Sequence, residues 1–159
     1  MTSDAPKFLV DEMLQRLGRW LRAAGYDTVI AINATPDYYL LRQAIDENRL
    51  LLTRDRKLTE HRRAIGNVVL LSCNSLDECV QELTQALQID WQHDPFSRCL
   101  VCNTPLHDAT PDQMQHAPAS VHKRELPALY CPKCNQVYWE GSHVKRMRHQ
   151  LVTWHHTLD

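Results

Sequence analysis

Two Cys-x-x-Cys pairs in the last third of the chain restrict its possible folds most strongly. The pairs are Cys99-Leu100-Val101-Cys102 and Cys131-Pro132-Lys133-Cys134, and 28 residues lie between them. Each pair can form a tight turn in which both sulfurs point at one ion, and two such turns complete a closed tetrahedral zinc site. A closed site leaves no coordination position for water. The predicted Zn²⁺ is therefore structural, and it stabilises a module too small to fold by hydrophobic burial alone.

The remaining cysteines and the nearby histidines leave alternatives open. Cys73 and Cys79 lack the spacing of metal ligands and stand beside apolar residues, so they are predicted to be small buried side chains in a reduced protein. A histidine can replace a cysteine as a zinc ligand, although four thiolates already complete the shell. The histidines near the two pairs are His107, His116, His122 and His143.

The first ninety residues alternate short apolar runs with segments of helical periodicity. Strands that are apolar on both faces and separated by helices are typical of a parallel sheet with helices on both sides. Gly25 is predicted to end the first helix, and Thr35 and Ser75 are the predicted N-caps of two later helices. The predicted strands are 7–10, 29–32, 50–53 and 67–71.

A change of composition divides the chain. After residue 90 the helical periodicity stops, and the following residues are rich in Cys, His and Pro. From Ser142 onward, apolar residues at helical spacing predict a terminal amphipathic helix. The sequence therefore predicts an α/β domain over residues 1–90, a linker over 91–97, and a zinc ribbon with the terminal helix over 98–159.

The composition excludes some classes of protein. The N-terminus, Met1 to Lys7, is polar and unlike a signal peptide, and no later stretch approaches the ~20 apolar residues of a membrane span. A soluble, cytoplasmic protein without a membrane partner is expected. Because the formal net charge is only −1, any affinity for nucleic acid must come from the local distribution of charges.

Three aspartates are expected at one edge of the predicted sheet. Asp11 follows the first strand, Asp37 lies in the first turn of the second helix, and Asp55 follows the third strand. The carboxyl ends of parallel strands meet at one edge, so we call these three residues the acidic edge. Clustered carboxylates bind Mg²⁺ or Mn²⁺, which can activate water to attack a phosphodiester. The alternative is that the aspartates only cap helices.

Basic residues stand near the acidic edge in the sequence and in the predicted terminal helix. Guanidinium and ammonium groups around a metal site would suit a polyanionic backbone such as RNA. The alternative is that each basic cluster is an ordinary solvated helix face. The predicted RNA contacts are Arg19, Arg22, Arg54, Arg56, Lys145 and Arg146.

Several motifs, in order along nearly the whole chain, resemble the mut-seven C-terminal RNase domain family. The N-terminal motifs are Phe8–Leu14, Leu17–Arg22, Gly25–Thr28 and Leu51–Arg56, and the zinc-ribbon motifs are Ser97–Asn103 and Cys131–Cys134 through Tyr138–His143. The resemblance implies an α/β fold with a small PIN-like parallel sheet, flanking helices and a C-terminal zinc ribbon. It also implies clustered acids that bind divalent metal and cut RNA.

The resemblance carries over to individual acids by position. Asp11 and Asp55 match the family's acids after the first and third strands, and Asp37 matches the acid at the start of the second helix. A fourth acid has no clear counterpart, and Asp77 is the nearest candidate. We therefore expect a metal-dependent ribonuclease whose zinc ribbon aids RNA binding. The alternative is a non-catalytic, zinc-containing module that binds RNA or the ribosome.

Overall fold

The computed structural model describes residues 4–32, 34–123 and 127–157. Its first part is a four-stranded parallel sheet in the order β2-β1-β3-β4, with helices between the strands. This arrangement confirms the α/β fold class. The elements are β1 (Phe8–Val10), α1 (Gln15–Ala23), β2 (Thr28–Ile30), α2 (Asp37–Asp46), β3 (Leu50–Thr53), α3 (Arg56–Thr59), β4 (Val68–Leu70) and α4 (Leu76–Leu87).

Both faces of the parallel sheet are buried. Alternate side chains of a strand point to opposite faces, and in β1 Phe8 and Val10 join the larger core with residues of α1 and α4. Leu9 joins a separate core with Leu40 of α2 and Leu58 of α3. Burial on both faces explains why the strands appear in the sequence as continuous apolar runs rather than as alternating patterns.

The helix termini agree with the sequence in part. Gly25 ends the turn after α1 with φ +102°, and a Cβ there would meet the carbonyl oxygen of Asp94 at 2.3 Å. The prediction for Thr35 is wrong, because Pro36 occupies the cap of α2 and the Thr35 hydroxyl donates to the carbonyl of Ile32. Ser75 caps α4 as predicted, since its Oγ accepts a hydrogen bond from a first-turn N–H group.

The second part of the chain contains a small antiparallel sheet in the order β5-β6-β7. A third apolar cluster, which includes Val121, Tyr130 and Val137, packs beside it. Four cysteines lie together near this sheet, so this part fits the predicted zinc ribbon. Its elements are β5 (His107–Asp108), α5 (Ala119–Lys123), β6 (Ala128–Cys131), β7 (Gln136–Trp139) and α6 (Ser142–Thr157).

The larger core extends across the predicted domain boundary. Trp91 is fully buried in the predicted linker, and Leu151 and Trp154 of α6 belong to the same core. The Trp154 ring lies 4.8 Å from the Trp20 ring and 5.2 Å from the Trp91 ring, measured between centroids. The division at residues 90 and 98 stays a prediction, and the stretch between them packs on the α/β domain.

Cys73 and Cys79 are joined by a disulfide. The expectation of two separate reduced thiols is therefore wrong, although both residues are buried as predicted. Cys73 precedes α4 and Cys79 lies within its first turns, so the helix start brings the two residues to a Cα–Cα distance of 5.0 Å. This separation is suitable for a disulfide.

Candidate functional site

The four cysteines of the two pairs form one compact cluster. Their sulfur atoms all lie within 4.8 Å of one another. The Sγ atoms of Cys99 and Cys134 are 3.9 Å apart, and those of Cys102 and Cys131 are 3.5 Å apart. A tetrahedral zinc ion with Zn–S bonds of ~2.3 Å places its sulfurs about 3.8 Å apart. The four residues therefore fit the predicted structural Zn²⁺.

Local turns orient the sulfurs in each pair. The N–H group of Asn103 donates to the carbonyl of Cys99, and the N–H group of Asn135 donates to the carbonyl of Cys131, both at 2.9 Å. Asn103 and Asn135 have φ values of 73° and 55°. Asparagine tolerates this left-handed conformation better than most residues, so an asparagine after each pair is a sequence feature that supports the assignment.

The pKa values of the thiols show the electrostatic cost of the cluster. The hydrogen bond with Cys102, followed by burial, raises the pKa of Cys134 to about 12. Burial also acts to raise the pKa of Cys102, but hydrogen bonds from Thr104 and the neighbouring thiols outweigh it and lower that pKa to about 6. Four thiolates this close require a cation, which zinc would supply. No histidine among the described side chains joins the cluster; the side chain of His122 lies outside them.

Arg22 attaches the first cysteine pair to the α/β domain. Its guanidinium donates to the carbonyl of Thr28 at 2.8 Å and to the carbonyls of Leu100 and Val101 at 3.0 and 3.1 Å. Only 6% of the residue is exposed. Nε and Nη1 of Arg22 therefore have a structural role inside the protein, and the RNA contact of Arg22 stays a prediction.

A second set of contacts continues this attachment. The amide of Asn103 accepts from the N–H group of Thr28 at 3.0 Å and donates to the carboxylate of Asp27 at 2.6 Å. Arg49 donates to the same carboxylate oxygen at 2.8 Å. Burial acts to raise the pKa of Asp27, but the hydrogen bonds from Arg49 and Asn103 lower it overall. We call Arg22, Asp27, Arg49 and Asn103 the latch, and no pattern in the sequence predicts it.

At the acidic edge, one threonine links the Asp11 carboxylate to the backbone of Asp55. The hydroxyl of Thr53 donates to Asp11 Oδ2 at 3.0 Å and accepts from the N–H group of Asp55 at 3.0 Å. The adjacent strands β1 and β3 end at this point, as the predicted topology requires. Both aspartates are also N-caps, since Asp11 accepts from the N–H group of Met13 and Asp55 from that of Lys57.

The third aspartate does not complete a three-carboxylate cluster. Asp37 is the first residue of α2. Within the described ranges, the four cysteines are the only group of three or more Cys, His, Asp or Glu residues that lie close enough together to hold one metal ion. Asp77 accepts a hydrogen bond from the Trp154 indole at 3.3 Å, which ties it to α6. At the acidic edge, Thr53 therefore links the Asp11 carboxylate to the Asp55 backbone, and Asp37 does not join these residues in a three-carboxylate group.

Comparison with known proteins gives the family. The model of the Mut7-C RNAse domain family matches residues 6–151 of the chain. The chain belongs to this family. No curated protein and no solved structure matches it. A Mut7-C RNAse domain points to a nuclease-like function with RNA as the substrate. None of the helices in the described part of the chain has the length and apolar character to cross a membrane.

The predicted RNA contacts of this Mut7-C RNAse domain differ in exposure. Arg54 is half-buried and donates to the carbonyl of Cys73 at 3.1 Å, and its buried Nε has no hydrogen-bond partner in the described part of the chain. Arg54 therefore ties the turn after β3 to the segment before α4. The exposed contacts, which stay predictions, are Arg19, Arg56, Lys145 and Arg146.

Proposed function

We propose that this Mut7-C RNAse domain is a metal-dependent ribonuclease that hydrolyses RNA phosphodiester bonds at the acidic edge. The observation that carries the proposal is the position of Asp11 and Asp55 directly after the adjacent strands β1 and β3, where the Thr53 hydroxyl binds the Asp11 carboxylate and the backbone N–H group of Asp55. It brings acids from two adjacent strands to the carboxyl edge of a parallel sheet, where ligands of open α/β sheets bind.

The residues at this edge fit a hard divalent cation. Mg²⁺ is usually held by one or two carboxylates and keeps several waters, so the pair Asp11 and Asp55 is sufficient as a primary ligand set. Oδ2 of Asp55 has no hydrogen-bond partner among the described residues. Asp37 would act through a bound water. A bound Mg²⁺ or Mn²⁺ would polarise the phosphate and lower the pKa of the attacking water.

The surrounding side chains would bind and orient the RNA. Thr53 fixes the orientation of the Asp11 carboxylate through its hydroxyl. Arg19 and Arg56 are exposed on the two elements that follow β1 and β3, so their guanidinium groups can contact backbone phosphates. The zinc ribbon would hold a further part of the RNA, and its zinc would have no catalytic role.

Substitution by asparagine separates catalysis from helix capping. Asparagine caps a helix about as well as aspartate, so Asp11→Asn and Asp55→Asn should preserve the fold while removing the charge that holds the cation. We expect each variant to lose at least 100-fold in Mn²⁺-dependent cleavage of single-stranded RNA, as is typical for loss of a metal ligand or its support. Mn²⁺ should also raise the melting temperature of the wild type and not that of the variants.

The control is Asp46→Asn on α2. Asp46 is 66% exposed and pairs only loosely with Arg42, at 3.7 Å, so this variant should cleave RNA like the wild type. If the wild type and the Asp11 and Asp55 variants cleave equally, or if none cleaves, the nuclease proposal is wrong. The capping hydrogen bonds of both aspartates favour the second candidate in that case, a non-catalytic module that binds RNA or the ribosome.

A further inference from the structure

An open cavity of about 830 Å³ lies between the ribbon sheet and α6. It is formed by the second part of the chain together with Phe96, and neither Asp11 nor Asp55 contributes to its wall. Most of its wall is apolar. Its principal side chains are Phe96, Met114, Leu129, Trp139, Val144 and Arg148.

Trp139 has the largest aromatic ring system among the residues that line the cavity. It ends β7 and is only partly buried. Its indole lies directly against the next turn, because a Cβ on Gly141 would be 2.8 Å from the indole Nε1. The neighbouring Tyr138 also lines the cavity, and its hydroxyl is 3.0 Å from Cys99 Sγ. The aromatic wall is therefore held on one side by the zinc cluster and on the other by the turn into α6.

Polar groups lie at the edge of this apolar cavity. Arg148 stacks over the Phe96 ring at 5.0 Å and forms an ion pair with Glu140 at 2.6 Å. Glu140 and Asp108 both line the cavity. Carboxylates accept hydrogen bonds from amino groups on base edges, so the cavity combines a stacking surface with acceptors at its edge.

The outer side of α6 carries positive charge next to the cavity. At 3.6 residues per turn, Lys145 lies about 60° around the helix from the cavity-lining Arg148, whereas Arg146 lies about 160° away. Lys145 is exposed. A ligand seated in the cavity would therefore have a cation beside its exit, which suits an aromatic group attached to a phosphodiester backbone.

We propose that this cavity binds one unpaired nucleobase of single-stranded RNA. The base stacks on Trp139, its amino edge donates to Glu140 and Asp108, and the adjoining phosphate contacts Lys145. The proposal rests on the proposed function for RNA as the substrate class, and it assigns RNA holding to the ribbon. Because the aromatic wall is anchored at Cys99 through Tyr138, structural zinc would maintain the shape of this site.

Binding of an intact and a partly abasic RNA tests the proposal. The zinc-loaded full chain is titrated, without Mg²⁺ or Mn²⁺, with a fluorescein-labelled ten-nucleotide single-stranded RNA and with the same strand lacking its central bases. We expect the wild type to prefer the intact strand by about tenfold, the size of one base–aromatic stack. Trp139→Leu should remove this preference, and Trp139→Phe should restore most of it.

Further measurements check that each variant is folded and test the predicted phosphate contact. Zinc content must stay at that of the wild type in each variant, and RNA should quench tryptophan fluorescence in the wild type but not in Trp139→Leu. The other tryptophans, Trp20, Trp91 and Trp154, lie in the α/β core. Lys145→Gln should weaken binding several-fold and lower the salt slope by about one, and Arg146→Gln should have a smaller effect.

The outcomes separate this proposal from the nuclease proposal. Equal binding of both strands by the wild type, or a preference that survives in zinc-loaded Trp139→Leu, overturns the nucleobase site. Absence of RNA binding overturns it too, and would leave the cavity to an apolar peptide. If cleavage depends on Asp11 while the preference is absent, only the nucleobase site fails. If the preference holds while the Asp11→Asn variant cleaves normally, only the nuclease proposal fails.

Discussion

The cysteine cluster and the acidic edge are both predicted metal sites, and the structure assembles them to different degrees. All four sulfurs of the cysteine cluster lie within 4.8 Å of one another. At the acidic edge, Thr53 links the Asp11 carboxylate only to the backbone N–H group of Asp55, and the described acids form no three-carboxylate group there. The cysteines thus already have the geometry of a closed zinc site, whereas the acids form an open pair.

The difference follows from how each site is encoded. Within a Cys-x-x-Cys pair, the turn fixes the relative position of two ligands locally, so the fold has to bring together only two turns. Each carboxylate of the acidic edge comes from a different strand or helix, so every distance depends on tertiary structure. An aspartate before a helix also has a competing local partner, because the next N–H groups of its own chain are in reach.

The first prediction breaks the cysteine cluster and has the largest expected effect. Cys131→Ser removes one thiolate from a closed site, and structural zinc contributes ~10–16 kcal/mol in small zinc modules. We expect loss of about one zinc per chain and fast amide hydrogen exchange in β6 and β7. Exchange in β1 and β3, which belong to a separately packed sheet, should stay slow. Metal analysis measures the zinc content, and hydrogen exchange on the same sample compares the protection of the ribbon strands with that of the parallel sheet.

The matched control removes the other two cysteines. Cys73→Ala with Cys79→Ala eliminates the disulfide, which is not part of the zinc cluster, and it should leave the zinc content unchanged. Full zinc content in Cys131→Ser would contradict the ligand assignment. Equal loss of protection in the ribbon and in the parallel sheet would show that the two regions unfold as one unit.

The second prediction separates the two regions by breaking the latch. Arg22→Met leaves the carbonyls of Thr28, Leu100 and Val101 without their charged donor, and we expect a loss of about 3 kcal/mol in the free energy of unfolding. Arg19→Met on the same helix is the control. Arg19 is exposed, so its change should stay within about 0.5 kcal/mol, while RNA binding should weaken.

Urea denaturation measures both variants, and RNA affinity measured on the folded protein distinguishes their roles. If Arg22→Met leaves the free energy of unfolding unchanged, the contacts between the cysteine turn and the α/β domain contribute little to stability. If folded Arg22→Met loses as much RNA affinity as Arg19→Met, the result would support the predicted RNA contact at Arg22.

The sequence predicted those features that local periodicity and spacing determine. A short apolar run predicts the strand at residues 50–53. The residues at the start of α4 predict the Ser75 cap, and the spacing within each Cys-x-x-Cys pair predicts the zinc ligands. The structural role of Arg22 is not visible in the sequence, because its spacing from Arg19 resembles a solvated helix face, and it is the docking of the cysteine turn that covers the side chain. The same reason applies to Cys73 and Cys79, whose pairing depends on where α4 begins.

Long-range contacts explain the other differences. Trp91 and Trp154 pack in one core although they are 63 positions apart in the sequence. The helical or strand periodicity of a segment cannot predict such a contact. Asp27 and Asn103 are likewise 76 residues apart. Both residues lie in segments that match the family motifs, but a motif does not indicate which residue forms the hydrogen bond with each of them. A part-buried hydrogen bond of this kind can be identified only from the structure, because a polar residue in a sequence is most often a solvated one.

The third prediction concerns this part of the latch and has the smallest effect. Hydrogen bonds from Arg49 and Asn103 outweigh burial and hold the pKa of Asp27 below its ordinary value of 3.8. A carboxylate with a lowered pKa in the folded state stabilises the fold above its unfolded pKa, and this contribution is lost as the pH falls towards the folded pKa. Asp27→Asn should therefore reduce the loss of stability as the pH falls below about 4, by about 1 kcal/mol, because the carboxylate is only 25% exposed.

Denaturant unfolding at a series of pH values measures this slope, with Asp46→Asn as the control. Asp46 is 66% exposed, so its removal should leave the slope unchanged. If Asp27→Asn and the wild type lose stability in parallel below pH 4, the carboxylate contributes to the latch by position and not by charge. The latch would then depend on Arg22 and Asn103, and the zinc-bearing turn would be held to the sheet by carbonyl and amide hydrogen bonds alone.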